Sequence, residues 1–361
     1  GKLIALLTER FMLIVFMMGF SSGLPCQLTG QTLQPWFKEA GMSLAAIGFF
    51  QYVRLPYNLK FIWSPFLDRF VPPFLGRRRG WLVLTQFGLV AGLIGISFCD
   101  PRTSALPIAV IAFIVVFLSA TQDIAIDAYR REVLPTESFG FGTSLAITGF
   151  RFGMLLASAG AFILADHISW PNVYRVMAAC MSVGILTSLF SPEPKISHPP
   201  PRTMREAVIE PFKDFFKKED ALWFLAFIFM YKFGDNLANS FSTIFYLDLN
   251  YTKTEIGSIG KLFGIWSTIV GGIAGGTIMV YWGLKKSLWV FGFIQGSSNL
   301  CYAWLAAFYA DLVTEARLPA LAATISIENL SYGMGSAALV TFMAKLTNKR
   351  FTATQFALLS S

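Results

Sequence analysis

The chain has 361 residues, of which 55% are hydrophobic, 16% aromatic and only 14% charged, with a formal net charge of +8. Soluble globular chains carry nearer a quarter charged residues, so this composition excludes a water-soluble enzyme fold and points to a helical membrane protein. The positive charge is scattered by loop and forms no continuous basic face, which excludes a nucleic-acid footprint.

Apolar windows long enough to cross ~30 Å of hydrocarbon recur along the whole chain. In order they read 11–36, 44–67, 81–99, 107–129, 140–165, 173–191, 221–247, 255–280, 287–309 and 318–345. Another begins near Thr352 and runs to Ser361. The first window is too long, and too polar at its end, for a secretory signal, and no small-residue cleavage site follows it. Cys26, Cys99, Cys180 and Cys301 have no paired spacing and read as reduced packing residues.

Lys and Arg set the orientation. With the N-terminus in the cytoplasm, the inner segments hold Lys2, Arg10, Arg69, Arg77, Arg78, Arg79, Arg130, Arg131, the basic residues of 192–220, Lys285, Lys286, Lys345, Lys349 and Arg350. The outer segments hold only Lys38, Arg102, Lys253 and Arg317. This is a strong positive-inside bias.

The Pro-rich, charged stretch Ser191–Asp220 separates six windows from the rest and reads as a linker, with an amphipathic helix at Met204–Phe216 lying along the membrane face. The two sides of it echo each other. SLAAIG from Ser43 returns as TKTEIG from Thr252, each an N-cap opening a span. GRRRGW from Gly76 returns as GLKKSLW from Gly283, and Leu134–Phe139 returns as Leu346–Phe351. The shared offset of ~209 residues predicts a parallel repeat of six spans, the major-facilitator architecture. The expected organisation is therefore an N-terminal six-helix half at 1–191, a cytoplasmic linker at 192–220 and an incomplete C-terminal half at 221–361. Two full copies would need ~418 residues, so the reading is an all-α bundle with about ten complete helices, an eleventh cut off, and a trimmed front edge at Gly1.

Ionisable groups inside spans are expensive and mark function or pairing. They are Arg54, Lys60, Asp123, Asp127, Arg151, Lys232, Asp235, Lys261 and Glu328. Lys232 and Asp235 share a helix face and can pair. Gln27, Gln31 and Gln34 fall at i, i+4, i+7, a polar stripe that faces either a neighbouring helix or a sugar-like ligand. In TQDIAIDAYRRE, Asp123 and Asp127 lie one turn apart. Asp127 reads as an ion-pair latch to the arginines; Asp123, deeper, either pairs structurally, binds substrate or titrates. Arg151 should meet an internal anion, with Asp123 the expected partner. The proton-coupling candidates are Asp235, Asp123 and Glu328. The substrate-binding candidates are Gln27, Gln31, Gln34, Arg54, Arg151, Lys232 and Lys261; Lys60 and Lys261 can equally snorkel or pair. The charge latch is expected from Asp68, Arg69, Arg77, Arg78, Asp127, Arg130 and Arg131. The only histidines, His167 and His198, lie outside the spans, and HExxH, GxSxG and Walker A patterns are missing, so neither an enzyme nor a metal or cofactor site is expected.

These same segments carry a resemblance. LPYNLKFIWSPFLDR (Leu55–Arg69), LGRRRGW (Leu75–Trp81), TQDIAIDAYRREVLP (Thr121–Pro135), YKFGDNLANS (Tyr231–Ser240), NKRFTATQFALLSS (Asn348–Ser361) and GFSSGLPCQLTGQTLQPWF in the first span are similar to the bacterial AmpG-type muropeptide permeases. The resemblance implies proton-coupled import of N-acetylglucosaminyl-anhydro-muramyl peptides across the bacterial inner membrane. Acetyl-CoA transporters share a similar QDI-x-x-D block and imply the alternative, a carrier of other anionic solutes. A non-transporting sensor or scaffold, or an inactive fragment, is the remaining alternative. Asp68-Arg69 and Gly76-Arg77-Arg78 resemble the major-facilitator loop motif between helices two and three, with a longer spacing here.

Overall fold

The structure, a computed structural model, describes residues 10–361 apart from 31, 104, 195–198, 253, 254, 257, 258 and 309–313. The side chains of 44, 45, 49, 51, 105, 234–241, 243, 244, 247, 261, 262 and 314 also lie outside the description. Every regular element among the described residues is helical. In chain order these include α1 (Arg10–Leu28), α2 (Leu33–Glu39), α3 (Ser64–Arg69), α4 (Arg77–Ser97), α5 (Ala105–Val133), α6 (Phe139–Leu155) and α7 (Trp170–Phe190). They continue as α8 (Met204–Phe216), α9 (Ala221–Asp248), α10 (Ile265–Trp282), α11 (Leu284–Ser298), α12 (Leu300–Phe308), α13 (Thr314–Leu346) and α14 (Thr352–Ser360). Among the described residues, six helical runs are long and apolar enough to cross a membrane: Arg10–Glu39, Arg77–Ser97, Leu106–Val133, Phe139–Ala165, Trp170–Phe190 and Ile265–Trp282.

Three expected spans are not continuous helices. The window 44–67 breaks into short α and 3-10 turns before α3, with Pro56 and Pro65 each at the start of a new segment. Proline cannot donate to the ladder and restarts it. The window 287–309 is divided at Asn299 between α11 and α12. The first window bends after Leu28, so Gln27 and Gln34 sit on separate helices, α1 and α2, and Gln31 lies outside the described residues. The expected three-glutamine stripe is therefore not one helix face. The carbonyls freed at this break are satisfied locally, as the hydrocarbon core demands. Pro25 O accepts from Thr29 N and Thr29 Oγ1, Gln27 O from Gly30 N and Thr32 N, and Leu28 O from Tyr174 Oη at 2.7 Å. Thr32 Oγ1 donates to Ala157 O at 2.7 Å, beside a π-helical turn at Leu156–Gly160.

Chain contacts divide the protein into two compact units. The first comprises Gly1–Leu134, Ala146–Lys217 and Ala344–Ser361; the second comprises Pro135–Leu145 and Lys218–Met343. In the first, α1 and α6 are joined through facing Gly-x-x-x-Gly pairs, Gly19/Gly23 and Gly149/Gly153. A Cβ on Gly19 would stand 2.0 Å from Ala146 O, and one on Gly149 would stand 2.0 Å from Phe16 O. Backbone touches backbone there, the small-residue packing that replaces the hydrophobic effect between helices in lipid. In the second unit the same device joins α10 to α13: a Cβ on Gly271 would meet Leu330 O at 2.1 Å, and one on Gly333 would meet Thr268 O at 2.3 Å.

The predicted caps form. Ser43 Oγ accepts from Ala46 N at 3.2 Å. Thr252 and Glu255 make a reciprocal capping box, Glu255 N to Thr252 Oγ1 at 3.2 Å and Thr252 N to Glu255 Oε2 at 2.8 Å. The linker helix α8 occupies the predicted residues, with Thr203 as its N-cap. Its buried residues are Ala207, Pro211 and Phe215, and it packs on α3 and α14.

Replacing Gly149 with Leu forces side-chain atoms into the backbone of α1, and overpacking of this kind costs ~1–3 kcal/mol or more. The variant should lose its monodisperse peak in detergent and unfold at lower temperature. Gly48→Ala, where a Cβ meets nothing within 4 Å, should behave like the parent. Equal behaviour of the two variants would contradict the proposed contact.

Candidate functional site

The basic end of the first unit is built around two acids. Asp68, at the end of α3, is fully buried. It accepts from Arg78 Nη2 at 2.9 Å, from Thr354 N at 2.9 Å, from Thr354 Oγ1 at 2.8 Å and from Ala353 N at 3.3 Å. It thereby caps the N-terminus of α14, whose own N-cap, Phe351, supplies no side-chain bond. A carboxylate at a helix start also meets the positive end of the helix dipole. Glu132, near the end of α5, accepts from Arg78 Nη2 at 2.6 Å, from Arg78 Nε at 3.1 Å and from Arg77 Nη2 at 3.1 Å. Arg78 is 1% exposed, so both acids hold one desolvated guanidinium between them.

A third acid closes the loop. Glu193 accepts from Arg78 N at 2.9 Å and Arg79 N at 3.0 Å, capping α4. Gly76 makes room for it: its φ is +84°, and a Cβ there would press on Glu193 Cδ at 2.7 Å. Cations serve the opposite helix ends. Arg79 donates to Ser188 O and Leu189 O, and Arg10 to Phe190 O, at the C-terminus of α7. Arg131 donates to Ala344 O near the end of α13.

Of the expected latch residues, Asp68, Arg77 and Arg78 therefore come together, whereas Asp127 pairs with Arg130 on its own helix at 2.8 Å. Arg69 lies over the Phe70 ring at 4.9 Å, away from the acids. The acids that sequence reading missed are Glu132 and Glu193. Glu132 follows Arg131 directly in the quoted block, but its partners are 54 and 55 positions away.

A second cluster lies within the membrane. Asp123 is ~27 Å from the start of α5 and ~15 Å from its end at the helical rise. It accepts from Ser22 Oγ of α1 at 2.5 Å. Lys60 lies in its electrostatic field. Neighbouring residues of α5 face the broken second window: Ser119 accepts from Tyr57 Oη at 2.9 Å, and Thr121 from Trp63 Nε1 at 3.0 Å. Arg54 Nη2 reaches Cys26 Sγ at 3.6 Å and lies against Gly30. Gln27 is 9% exposed, and its buried Oε1 has no hydrogen-bond partner among the described residues.

The expected Arg151–Asp123 pair is absent. Arg151 sits midway between Gly149 and Gly153, which hold α6 against α1. Two residues along a helix is ~200° of rotation, so its side chain leaves the face turned to α1, where Asp123 is bonded. In the second unit, Glu328 accepts from Asn329 Nδ2 at 2.9 Å, and Asn329 Oδ1 accepts from Thr268 Oγ1 at 3.0 Å. Lys232 is half-buried on α9. The side chains of Asp235 and Lys261 lie outside the description, so their pairing is not seen.

The buried network makes a measurable claim. Arg78→Gln leaves buried Asp68 without a cation and Glu132 with Arg77 alone, a loss of ~3–5 kcal/mol. Adding Glu132→Gln should recover part of it, because a buried charge left short of a cation is removed. Thermal unfolding in detergent reads both. Strictly additive losses would show that Arg78 and Glu132 do not interact.

Residues 10–361 match the family model of the Major Facilitator Superfamily. The anhydromuropeptide permease of Escherichia coli strain K12 is 41% identical over 350 residues, covering 96% of this chain and 70% of the relative. A putative transporter, AmpG 4, of Rickettsia felis is 36% identical over 361 residues, covering 96% and 85%. Among solved structures, the proton:xylose symporter XylE aligns with a TM-score of 0.69 at 12% identity, over 97% of this chain and 85% of that one. The Escherichia coli fucose:proton symporter FucP aligns with a TM-score of 0.65 at 14% identity, over 98% and 97%. These last two likenesses concern the fold alone. The helical fold, the paired-glycine packing and the sequence relationship together place the chain in the Major Facilitator Superfamily, among the AmpG-type permeases: it is a membrane transporter and not an enzyme.

Proposed function

We propose that the protein imports anhydro-muropeptides, sugar-peptides of the N-acetylglucosaminyl-anhydro-muramyl class, across the bacterial cytoplasmic membrane in symport with protons. The relationship to the Escherichia coli permease supports the substrate class. The observation that carries the coupling is Asp123, a carboxylate deep in α5 bonded to Ser22 and facing Lys60. An acid at that depth is tolerated where a cavity or a partner compensates it, and such groups serve proton relays.

The roles follow from charge. A deprotonated Asp123 holds Lys60 by attraction. A substrate carboxylate that reaches Lys60 and Arg54 competes for those cations, and proton uptake by Asp123 removes the competitor. Proton and anionic substrate then favour the same state of the carrier, which is what symport requires. Asp235 and Glu328 are the further coupling candidates. Gln27 offers an unfilled acceptor for a sugar hydroxyl or amide N–H. Gln31, Gln34, Arg151, Lys232 and Lys261 complete the proposed substrate contacts. The halves are 1–191 and 221–361, joined by the linker 192–220, and the N-terminus faces the cytoplasm with the basic residues. In this reading the Asp68 cap on α14 is a cytoplasmic latch: opening that side requires α14 to leave Asp68 and expose its N–H groups.

The test is uptake of labelled anhydro-muropeptide into proteoliposomes under an inward proton gradient. The parent should accumulate substrate, and a protonophore should abolish accumulation. Asp123→Asn should still equilibrate substrate but no longer concentrate it. Parent uptake that ignores the protonophore would sink the symport, and an Asp123→Asn carrier that still concentrates substrate would move coupling to another acid.

A further inference from the structure

A cavity of about 310 Å³ opens at the end of the first unit opposite Arg77, Arg78 and Arg131, where α2, the loop after α4 and the start of α7 converge. Its size is at the lower end of small-molecule sites. Its walls include Trp36, Glu39, Asp100, Arg102, Ile168 and Trp170. By the positive-inside distribution this is the outward mouth.

The wall is rigid where it is apolar and unspent where it is charged. Trp36 and Trp170 are 6% and 8% exposed and stack on each other at 6.5 Å and 14°. Trp36 also packs on Tyr174 at 5.3 Å, and Trp170 on Phe162 at 6.4 Å. The indole faces are therefore already covered, which argues against a pyranose ring stacking there. Trp170 Nε1 donates to Glu39 Oε2 at 2.7 Å and fixes that carboxylate on the rim. Asp100 Oδ1 accepts from Arg102 N at 3.0 Å, which places an acid and a guanidinium on one short turn. Among the described residues neither Glu39, Asp100 nor Arg102 is in an ion pair. Two carboxylates and one guanidinium around an apolar floor match a group carrying an ammonium and an anion a few bonds apart.

We propose that this cavity is a binding site for a zwitterionic amino-acid group, its ammonium at Glu39 and Asp100 and its carboxylate in the fork of Arg102. It deepens the transport reading, on which its biological role rests, by giving the peptide part of a sugar-peptide its first contact at the outer face. The same charges occur in an ethanolamine phospholipid headgroup, so the test separates the two sources.

The full chain in phosphatidylglycerol nanodiscs is titrated with alanyl-alanine, N-acetyl-alanyl-alanine amide and O-phosphoethanolamine, with binding read by saturation-transfer NMR. Alanyl-alanine should bind, and the blocked dipeptide should not. Glu39→Gln keeps the acceptor for Trp170 and removes only the charge. It and Arg102→Gln should each weaken alanyl-alanine about tenfold, the loss of one charge-assisted hydrogen bond. Three results would overturn the site: equal binding of free and blocked dipeptide, binding of O-phosphoethanolamine without alanyl-alanine, or both variants binding like the parent. Proteoliposome uptake is scored separately. Loss of all uptake with dipeptide binding intact would remove the transport reading and leave the site standing.

Discussion

A single buried guanidinium organises the basic end of this protein. Arg78 lies between Asp68 and Glu132, and through them it ties α3, α4, α5 and α14 together. Such an arrangement adds little net stability over an apolar equivalent, since desolvation consumes most of the Coulomb energy. Its consequence is specificity of geometry. Asp68 cannot lose Arg78 without losing its cation, Glu132 would keep only Arg77, and α14 cannot move without exposing the N–H groups that Asp68 caps.

The same logic extends to the linker. Asp214 of α8 accepts from Gln355 Nε2 at 2.9 Å and Asn348 Nδ2 at 3.1 Å, and Gln355 Nε2 also reaches Pro211 O at 2.9 Å. Arg350 pairs with Glu206 at the other end of α8. The helix predicted to lie along the membrane fastens its buried face, Ala207, Pro211 and Phe215, to α3 and α14. Glu206 and Asp214 are spent on that contact, while Arg205, Lys213 and Lys217 stay exposed.

Inside the bilayer a different economy applies. Where helices meet, glycine lets backbones touch; where the first span breaks, the carbonyls of Pro25, Gln27 and Leu28 find a hydroxyl or amide. The break after Leu28 is costly in hydrocarbon, yet Cys26 and Gly30 lie beside Arg54 there, within the polar neighbourhood that Asp123, Tyr57 and Lys60 share. That neighbourhood exists because the second window does not form a straight helix. Pro56 and Pro65 interrupt it and leave Tyr57 and Trp63 facing Ser119 and Thr121.

The membrane class, most of the apolar windows, the N-caps at Ser43 and Thr252, the bounds of α8 and the distribution of basic residues were all determined by the sequence alone. Each depends on composition or on neighbours within a few positions, where helical period and capping chemistry act directly. The transporter family was legible too, from blocks spread along the chain. Tertiary structure alone decided which charges meet. Glu132 and Glu193 find Arg78 across 54 and 115 positions, and no local pattern marks such partners. The glutamine stripe of the first span failed because a helix break turned one face into two. Arg151 and Asp123, both deep and on consecutive spans, were natural partners in one dimension. The glycines that flank Arg151 commit the opposite side of α6 to α1, and that packing, invisible until the helices are laid together, turns the guanidinium away.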